Sequence, residues 1–434
     1  SVMAGNRPEL LAAHLAIPAL GAVLNAINIR LDTDTVGYIL GHGRAKLILA
    51  DPERLAVAKA AAAATGIEAV ALCAGPDGAG GLDLLNGPLP PLVELAPAIT
   101  DEWAPICLNY TSGTTGRPKG VVYHHRGAYL NALGNALMLR MDPSTVYLWT
   151  LPMFHCNGWC HTWGVTAAGG THVCLDRVEP EEIFGLIGAH DVTLFCCAPV
   201  VLYMLANAPD RPAPRAGRAT VATGGAAPTT QLIEEMDALG FDLIHLYGLT
   251  ESYGPATICE LDEAAQALPA AERAVLLSRQ GVRHHTAARA RVLAQDWSET
   301  PQDGAALGEI TMEGNTLMAG YLEQPDTTEA AFAGAAFRTG DLAVRHPDGQ
   351  IEIRDRAKDI IITGGENVSS LEIENVLHKH PAVMMAAVVA APHPKWGETP
   401  QAFVELRPGQ DVTAEDLERF CRERLPGFKV PHRY

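Results

Sequence analysis

The spacing of apolar and polar residues predicts an α/β fold over the first 246 residues. Short apolar runs alternate there with helical stretches, and the strand-like runs are LILA at 47–50, EAVALC at 68–73, VYLWT at 146–150, THVCL at 171–175, TLFCC at 193–197, ATVAT at 219–223 and DLIHL at 242–246. Apolar runs of this length between helices are typical of parallel strands that are buried on both faces. We therefore expect parallel β-α layers.

The pattern changes after residue 290. The segments LGEITM, FRTGDLAVRH and QIEIRD alternate apolar and polar positions, and HPDG at 346–349 is a hairpin turn signal. Beyond residue 358, short strands surround a helix at 371–379, and Thr413 with Asp416 predicts a capped last helix. We expect a small β-rich subdomain in a large domain, residues 1–355, followed by a small α+β C-terminal domain, residues 356–434.

An uncharged stretch near the N-terminus could be taken for a membrane span. Residues 10–27 carry no formal charge, but they include His14, Pro18 and Asn25 and follow a capping signal at Asn6 and Pro8. We expect a buried helix over residues 9–27 instead. The first residues, SVMAGN, lack the charged and apolar regions of a secretory signal.

Charge and cysteine content narrow the function classes. The chain of 434 residues has a net charge of −18 and no basic stripe, which argues against a nucleic-acid partner. Its nine cysteines have no disulfide-framework spacing, so we expect reduced thiols and a cytoplasmic protein. His155, Cys156, Cys160 and His161 lie close together, but no second ligand pair follows, so a zinc site is not favoured.

The segment YTSGTTGRPKG, residues 110–120, is the first candidate for chemistry. It combines glycines, hydroxyl side chains and Lys119, a composition that suits phosphate binding. Its spacing excludes the Walker loop, which requires G-x-x-x-x-G-K-[ST]. The segment follows the strand-like PICLNY and precedes a helical run from about Gly127, so we expect its donors at a strand end. A flexible surface loop is the alternative.

Two more motifs follow predicted strands. YGLTE at 247–251 offers an aromatic ring, a hydroxyl and the Glu251 carboxylate, which beside phosphates would bind Mg²⁺. Asp341 in RTGDL could accept hydrogen bonds from two ribose hydroxyls. Each motif alone could equally be an ordinary turn.

Taken in order, YTSGTTGRPKG, TGGAAP (223–228), YGLTE, RTGDL and IRDRAKDIIITGGENVSSLEIE resemble the motifs of adenylate-forming acyl-CoA synthetases over nearly the whole chain. PMFHCNGWC (152–160) and YGLTESYGPATICE are most similar to the branch of 3-methylmercaptopropionyl-CoA ligases and plant short-chain acyl-activating enzymes. The resemblance implies that ATP and a carboxylic acid form an acyl-adenylate and pyrophosphate, after which the CoA thiol displaces AMP.

The resemblance also implies residue roles. Thr250 would contact the α-phosphate, and Glu251 would hold Mg²⁺. The remaining nucleotide-binding residues would be Thr111, Ser112, Gly113, Thr114, Thr115, Gly116 and Lys119 at the β- and γ-phosphates, Gly225, Ala226 and Ala227 in the adenine and acyl groove, Tyr247 stacked on adenine, and Asp341 and Arg356 at the ribose.

For the acyl group, the resemblance favours His155 as a gate beside the carboxylate; from the residues alone, a core histidine is favoured. Trp159 either lines the acyl pocket or packs in the core. Acetate-specific relatives have a tryptophan where this chain has Gly248, so glycine is expected to leave room for acids longer than acetate. In the C-terminal domain, Lys358 would be the hinge, and Gly364 and Gly365 would let the pantetheine chain pass.

One family motif is not found. The adenylation lysine belongs to P-[RK]-x-x-x-G-K near the C-terminus, and Lys429 lies in a different context. We expect the natural polypeptide to extend at both ends. Two other functions stay open: an adenylating enzyme that loads a carrier-protein thiol, and a non-catalytic nucleotide-binding module. The sequence does not specify the acid, and a homo-oligomer is possible.

Overall fold

The computed structural model describes residues 1–72, 99–111, 116–209, 211–212 and 217–434. Within them, the strands are β1 Val2–Met3, β2 Leu24–Asn25, β3 Leu47–Ala50, β4 Glu68–Ala71, β5 Pro105–Thr111, β6 Lys119–His124, β7 Val146–Leu148, β8 Thr171–Val173, β9 Leu194–Cys197, β10 Ala219–Thr223, β11 Phe241–Leu249, β12 Gly254–Cys259, β13 Val282–Arg283, β14 Arg289–Leu293, β15 Gly308–Glu313, β16 Gly320–Tyr321, β17 Phe337–Arg345, β18 Ile351–Arg356, β19 Ile361–Thr363, β20 Glu366–Val368, β21 Val383–His393 and β22 Gly397–Leu406.

The helices connect these strands. They are α1 Pro8–Ala19, α2 Thr33–His42, α3 Leu55–Thr65, α4 His125–Met138, α5 Cys156–Trp159, α6 His161–Ala167, α7 Pro180–His190, α8 Pro199–Ala206, α9 Thr230–Ala238, α10 Glu263–Gln266, α11 Ala270–Leu277, α12 Pro325–Ala331, α13 Ser370–Leu377 and α14 Ala414–Arg422, with 3₁₀ turns at Thr250–Ser252, Ala333–Ala335 and Gly427–Lys429.

The predicted parallel β-α layers are confirmed in two sheets. β1, β3 and β4 form a parallel three-stranded sheet, and a seven-stranded sheet has the order β13-β12-β11-β10-β9-β7-β8. Strands β7 to β11 pair in parallel, with Val221 of β10 opposite both Phe195 and Leu243. Val221 and Ala222 are adjacent in β10 and therefore point to opposite faces, and both are fully buried, so both faces of this layer are covered. β12 and β13 add antiparallel edge strands.

The phosphate-loop candidate lies within a hairpin rather than between a strand and a helix. β5 and β6 pair antiparallel, with Thr111 opposite Lys119, and α4 begins only at His125. The segment KGVVYH forms a strand because Val121 and Tyr123, two positions apart, are both fully buried against the core. β2 and β16 complete this four-stranded sheet in the order β16-β6-β5-β2.

The β-rich subdomain and the C-terminal domain each contain one four-stranded sheet. The first has the order β14-β15-β17-β18 and is antiparallel throughout. It ends at Arg356, and the C-terminal sheet, of order β20-β19-β22-β21, begins at Ile361. The C-terminal domain has its own apolar core, and the predicted capping box at Thr413 and Asp416 is confirmed.

The helix expected over residues 9–27 is too long. Helix α1 includes Pro18 and ends at Ala19, because Gly21 adopts a φ of 72° that turns the chain out of the helical path. Leu24 and Asn25 then pair in parallel with β5. Among the helices in the described residues, none is both long and apolar enough to span a bilayer.

Candidate active site

A cavity of about 1110 Å³ opens at the carboxyl ends of the central strands. The β5–β6 hairpin contributes Thr111 and Lys119 to its wall, and the end of β11 contributes the YGLTE motif. The other predicted site residues that line it are His155, Trp159, Gly225, Arg356 and Lys358. Residues that are up to 247 positions apart in the sequence therefore share one cavity.

Several hydrogen bonds hold the turn that carries Thr250 and Glu251. The hydroxyl of Tyr123 donates to the Thr250 carbonyl over 2.6 Å, and the Met318 amide donates to the Glu251 carbonyl over 2.8 Å. The hydroxyl of Tyr321 donates to Glu251 Oε1 over 2.7 Å. These bonds fix both the backbone and the carboxylate of the motif. The Nζ atom of Lys119 lies 4.9 Å from the centre of the Tyr321 ring.

Tyr247, Asp341 and Arg356 form a second polar group. The Tyr247 hydroxyl donates to Asp341 Oδ2 over 2.5 Å, and Arg356 Nε lies 3.1 Å from Asp341 Oδ1. Burial raises the pKa of Asp341, although the hydrogen bond from Tyr247 and the charge of Arg356 act against that rise. The structure therefore brings together the aromatic residue and both residues expected at the ribose.

The segment after His155 has an unusual backbone. Five consecutive residues, from Cys156 to Cys160, have positive φ values between 49° and 62°, and only Gly158 is a glycine. A left-handed conformation costs other residues roughly 1–2 kcal/mol each. Tertiary hydrogen bonds stabilise this turn: Asn109 Nδ2 donates to Asn157 Oδ1 over 2.8 Å, and Asn135 Nδ2 donates to the Trp159 carbonyl over 2.6 Å. Strain of this kind is concentrated at functional sites.

The positions of His155 and Trp159 beside this left-handed turn bear on whether each side chain packs in the core or faces the cavity. His155 is exposed to the cavity, so it is not a core histidine. The negative charge of Cys156, and the hydrogen bond that its sulfur accepts from the imidazole, raise the pKa of His155 to about 9. Burial opposes ionisation of Cys156, yet the charge of His155 lowers the pKa of that thiol overall. Trp159 is 7% exposed and both packs in the core and lines the cavity.

Gly248 lines the cavity, and the structure gives the glycine a second reason. A Cβ atom at this position would lie 1.8 Å from the carbonyl oxygen of Gly254 and 3.0 Å from Cα of Pro255. The missing side chain therefore allows β11 and β12 to approach each other at the register shift between Tyr247 and Gly248. The expected room for acids longer than acetate stays a prediction.

A second cavity, of about 630 Å³, lies between the large domain and the C-terminal domain. Gly225, Ala226, Ala227 and Asp341 line one side, and Glu374 of α13 and His378, directly after that helix, line the other. Tyr203 and His378 stack across this interface with ring centres 5.7 Å apart, and Arg407 Nη1 donates to Asn207 Oδ1 over 2.7 Å.

The predicted CoA glycines lie outside both cavities. Gly364 has a φ of 60°, its amide donates to the Trp396 carbonyl over 2.9 Å, and an added Cβ would lie 2.9 Å from the Trp396 ring. Gly365 follows with a φ of 92°. Lys429 is paired with Glu372 inside the C-terminal domain, with 2.6 Å between Nζ and Oε2.

Four residues of the predicted phosphate loop are not among the described residues. Ser112, Gly113, Thr114 and Thr115 lie outside the described residues. Gly116 is exposed and is not among the residues that line the two cavities.

Two tyrosines of the site were missed in the sequence. Tyr123 holds Thr250, and Tyr321 holds Glu251. Tyr123 occupies a buried position of β6, where its ring is indistinguishable from ordinary core packing. Tyr321 follows Gly320 in a two-residue strand, and only the pairing of that strand with β6 brings it to the cavity.

The residues present fit a magnesium ion that is held mainly by substrate phosphates. Where the structure describes the chain, no group of three or more His, Cys, Asp or Glu side chains could hold a metal ion. Mg²⁺ in nucleotide sites usually binds one or two carboxylates, phosphate oxygens and water. Glu251 supplies one such carboxylate, and its hydrogen bond with Tyr321 involves only Oε1.

Comparison with known proteins identifies the family. Residues 1–322 match the model for AMP-binding enzymes, and residues 372–434 match the model for the C-terminal domain of AMP-binding enzymes. The chain belongs to the AMP-binding enzyme family. The resemblance inferred from the motifs is thereby confirmed.

Curated relatives narrow the activity. The chain is 43% identical over 460 residues to acetate–CoA ligase CCL3 of Humulus lupulus, covering 99% of this chain and 81% of the relative. It is equally similar, at 43%, to the peroxisomal acetate/butyrate–CoA ligase AAE7 of Arabidopsis thaliana, covering 99% and 80%. The chain is an AMP-forming acyl-CoA synthetase.

Solved structures share the fold. The o-succinylbenzoate CoA synthetase MenE of Bacillus subtilis, in complex with its acyl-adenylate, has a TM-score of 0.81 at 27% identity, covering 99% of this chain and 82% of that chain. ATP-bound MatB of Rhodopseudomonas palustris has a TM-score of 0.84 at 25% identity, covering 99% and 83%. The adenylate-forming fold expected from the motifs is confirmed.

The comparison with curated relatives contradicts the expected cytoplasmic location. Relatives from Arabidopsis thaliana and Petunia hybrida are named as peroxisomal enzymes. Cysteine content does not distinguish the two compartments, because peroxisomal targeting depends on a short receptor-read address and leaves the composition unchanged.

Proposed function

We propose that the enzyme activates short- to medium-chain carboxylic acids in the larger cavity, with the reacting groups in the roles that the family motifs imply. The observation that carries this proposal is the convergence of Thr250 and Glu251 in the larger cavity with Asp341 in the second cavity, since Tyr247 and Arg356 line both. A role in fatty acid metabolism follows if the preferred acid is an alkanoate.

The nucleotide would be held at its two ends by different chemistry. Asp341 would accept hydrogen bonds from the ribose hydroxyls, with Arg356 Nε held 3.1 Å from the carboxylate. The Tyr247 ring would contact adenine, while its hydroxyl remains bonded to Asp341. At the other end, Lys119 and the Thr250 hydroxyl would donate to phosphate oxygens and stabilise the negative charge that develops at the α-phosphate. Mg²⁺, held by Glu251, would neutralise phosphate charge and fix the phosphate orientation.

The acyl group would lie beside the left-handed turn. His155 is exposed and lines the cavity, so its imidazole would hydrogen-bond to the substrate carboxylate. Trp159 and the apolar residues Val200, Val201 and Met204 would contact the acyl chain. Straight and branched chains both suit such a wall, in keeping with the butyrate and 2-methylpropanoate named for two relatives.

The C-terminal domain would supply the CoA face. We place the domain boundary between residues 355 and 356, with Lys358 as the hinge and Gly364 and Gly365 beside the pantetheine. The CoA-ligase names of the relatives favour free CoA over a carrier-protein thiol as the acceptor.

A panel of acids tests the substrate class. Acetate, butyrate, 2-methylpropanoate, hexanoate and cinnamate would be compared by AMP release at fixed ATP, Mg²⁺ and CoA. Each buried CH₂ contributes about 0.8 kcal/mol, so butyrate should exceed acetate in kcat/KM by roughly an order of magnitude. The highest kcat/KM with acetate would contradict the proposed chain-length preference, and the highest with cinnamate would indicate an aryl acid.

A further inference from the structure

Tyr321 touches the two charged groups at the phosphate end of the cavity. Its hydroxyl donates to Glu251 Oε1 over 2.7 Å, and its ring centre lies 4.9 Å from the Nζ atom of Lys119. Tyr321 itself lines the cavity. One side chain therefore connects the carboxylate and the lysine, which come from different elements of the fold.

The backbone of Tyr321 is held from three sides. It pairs with Val121 of β6, two residues from Lys119. Its amide donates to Thr328 Oγ1 over 2.9 Å. The preceding Gly320 has a φ of 148°, and an added Cβ there would lie 2.9 Å from Thr328. These contacts fix the backbone position of Tyr321 next to the β5–β6 hairpin, and with it the base of its side chain.

The hydroxyl and the ring of Tyr321 make different contacts. The phenol O–H donates to Glu251 Oε1 over 2.7 Å, and this hydrogen bond fixes the position of that carboxylate oxygen. The face of the ring meanwhile attracts the ammonium group of Lys119.

We propose that Tyr321 is a positioning residue, which orients the Glu251 carboxylate toward the metal ion and holds Lys119 over the phosphates. The proposal rests on the proposed role of Glu251 as a magnesium ligand. Hydrogen-bond partners of metal ligands fix ligand orientation, and their loss typically weakens metal binding by 10–100-fold. Removal of the phenol oxygen should free the Glu251 side chain while leaving the ring, and its contact with Lys119, in place.

The test compares Tyr321→Phe with the wild-type enzyme. Tyr129→Phe is the matched control, because Tyr129 is 66% exposed on α4. Mn²⁺ would be titrated into each protein in the presence of ATP and the absence of acid, and bound ion would be followed by electron paramagnetic resonance. We expect about tenfold weaker Mn²⁺ binding for Tyr321→Phe, unchanged binding for Tyr129→Phe, and the same melting temperature for all three proteins.

Pyrophosphate exchange provides the second readout. For Tyr321→Phe, the half-saturating Mg²⁺ concentration should rise about tenfold, and the rate should approach that of wild type at saturating Mg²⁺. Wild-type Mn²⁺ affinity in Tyr321→Phe would overturn the positioning role. So would a rate that falls equally at every Mg²⁺ concentration.

A further variant separates this inference from the proposed function. If Glu251→Gln retains wild-type Mn²⁺ affinity, then the metal role of Glu251 is wrong, and the role of Tyr321 falls with it. If Glu251→Gln loses Mn²⁺ affinity while Tyr321→Phe does not, then the proposed function stands and only the role of Tyr321 is overturned.

Discussion

The two domains differ in whether their predicted binding residues already lie together at the site. In the large domain, Tyr247 already donates to Asp341 over 2.5 Å, and Arg356, directly after the proposed domain boundary, lies 3.1 Å from the same carboxylate. In the C-terminal domain, Gly364 is bonded to Trp396 and lies outside the cavities. The strands of the large domain bring the predicted nucleotide-binding groups together, whereas the glycines that we predict to contact CoA would need a movement of the C-terminal domain to reach them.

The interface between the domains is compatible with such movement. Its contacts include the stacked Tyr203 and His378 and the hydrogen bond from Arg407 to Asn207. Polar side-chain contacts of this kind are typical of domain interfaces that rearrange. This difference between the domains predicts two separate effects. Variants in the large domain should slow adenylation, and variants at Gly364 should slow thioester formation.

The largest expected effect comes from Glu251→Gln. Loss of one preorganised charge at the phosphate end should slow adenylation on the order of 10²–10³-fold, as measured by pyrophosphate exchange. Transfer of the acyl group from a supplied acyl-adenylate to CoA should remain near the wild-type rate. Glu415→Gln, an exposed glutamate of the C-terminal domain, is the control. A near-normal exchange rate would remove Glu251 from the site.

Asp341→Asn should have an intermediate effect. The substitution removes the charge that Tyr247 and Arg356 contact, and hydrogen bonds to charged groups contribute about 1.5–3 kcal/mol. We expect KM for ATP to rise by roughly 10–100-fold, and the affinity for AMP to fall to a similar extent. Steady-state kinetics and calorimetry with AMP would measure both. An unchanged KM for ATP would place the ribose elsewhere.

Gly364→Ala should have the smallest effect and should affect only the second half-reaction. Alanine at a φ of 60° is strained by roughly 1–2 kcal/mol, and its Cβ would lie against Trp396. We expect thioester formation from a supplied acyl-adenylate to slow about five- to tenfold, with normal pyrophosphate exchange. Gly409→Ala is the matched control, because Gly409 has a φ of 76° in the same domain and open space around it.

Either of two results would break the contrast between the domains. If Gly364→Ala slowed pyrophosphate exchange, the glycine turn would take part in adenylation as well. If Gly409→Ala slowed thioester formation equally, general strain in the C-terminal domain would explain the effect.

The sequence determined what depends on local pattern. Apolar runs identified the parallel strands, because buried strands need continuous apolar residues, and the motif at Tyr247 and Glu251 could be assigned to a strand end. The order of the motifs was sufficient to indicate the family. The capping box at Thr413 was also visible, since its partner is only three residues away.

Only the tertiary structure decided what depends on contacts between distant segments. The link between Tyr321 and Glu251 spans 70 residues, and the link between Tyr247 and Asp341 spans 94. The left-handed turn after His155 exists because Asn109 and Asn135 hold it, and the need for glycine at 248 arises from the backbone of Gly254. The conformational preferences of the neighbouring residues either disfavour these features or are indifferent to them. Contacts with residues far away in the sequence therefore stabilise them.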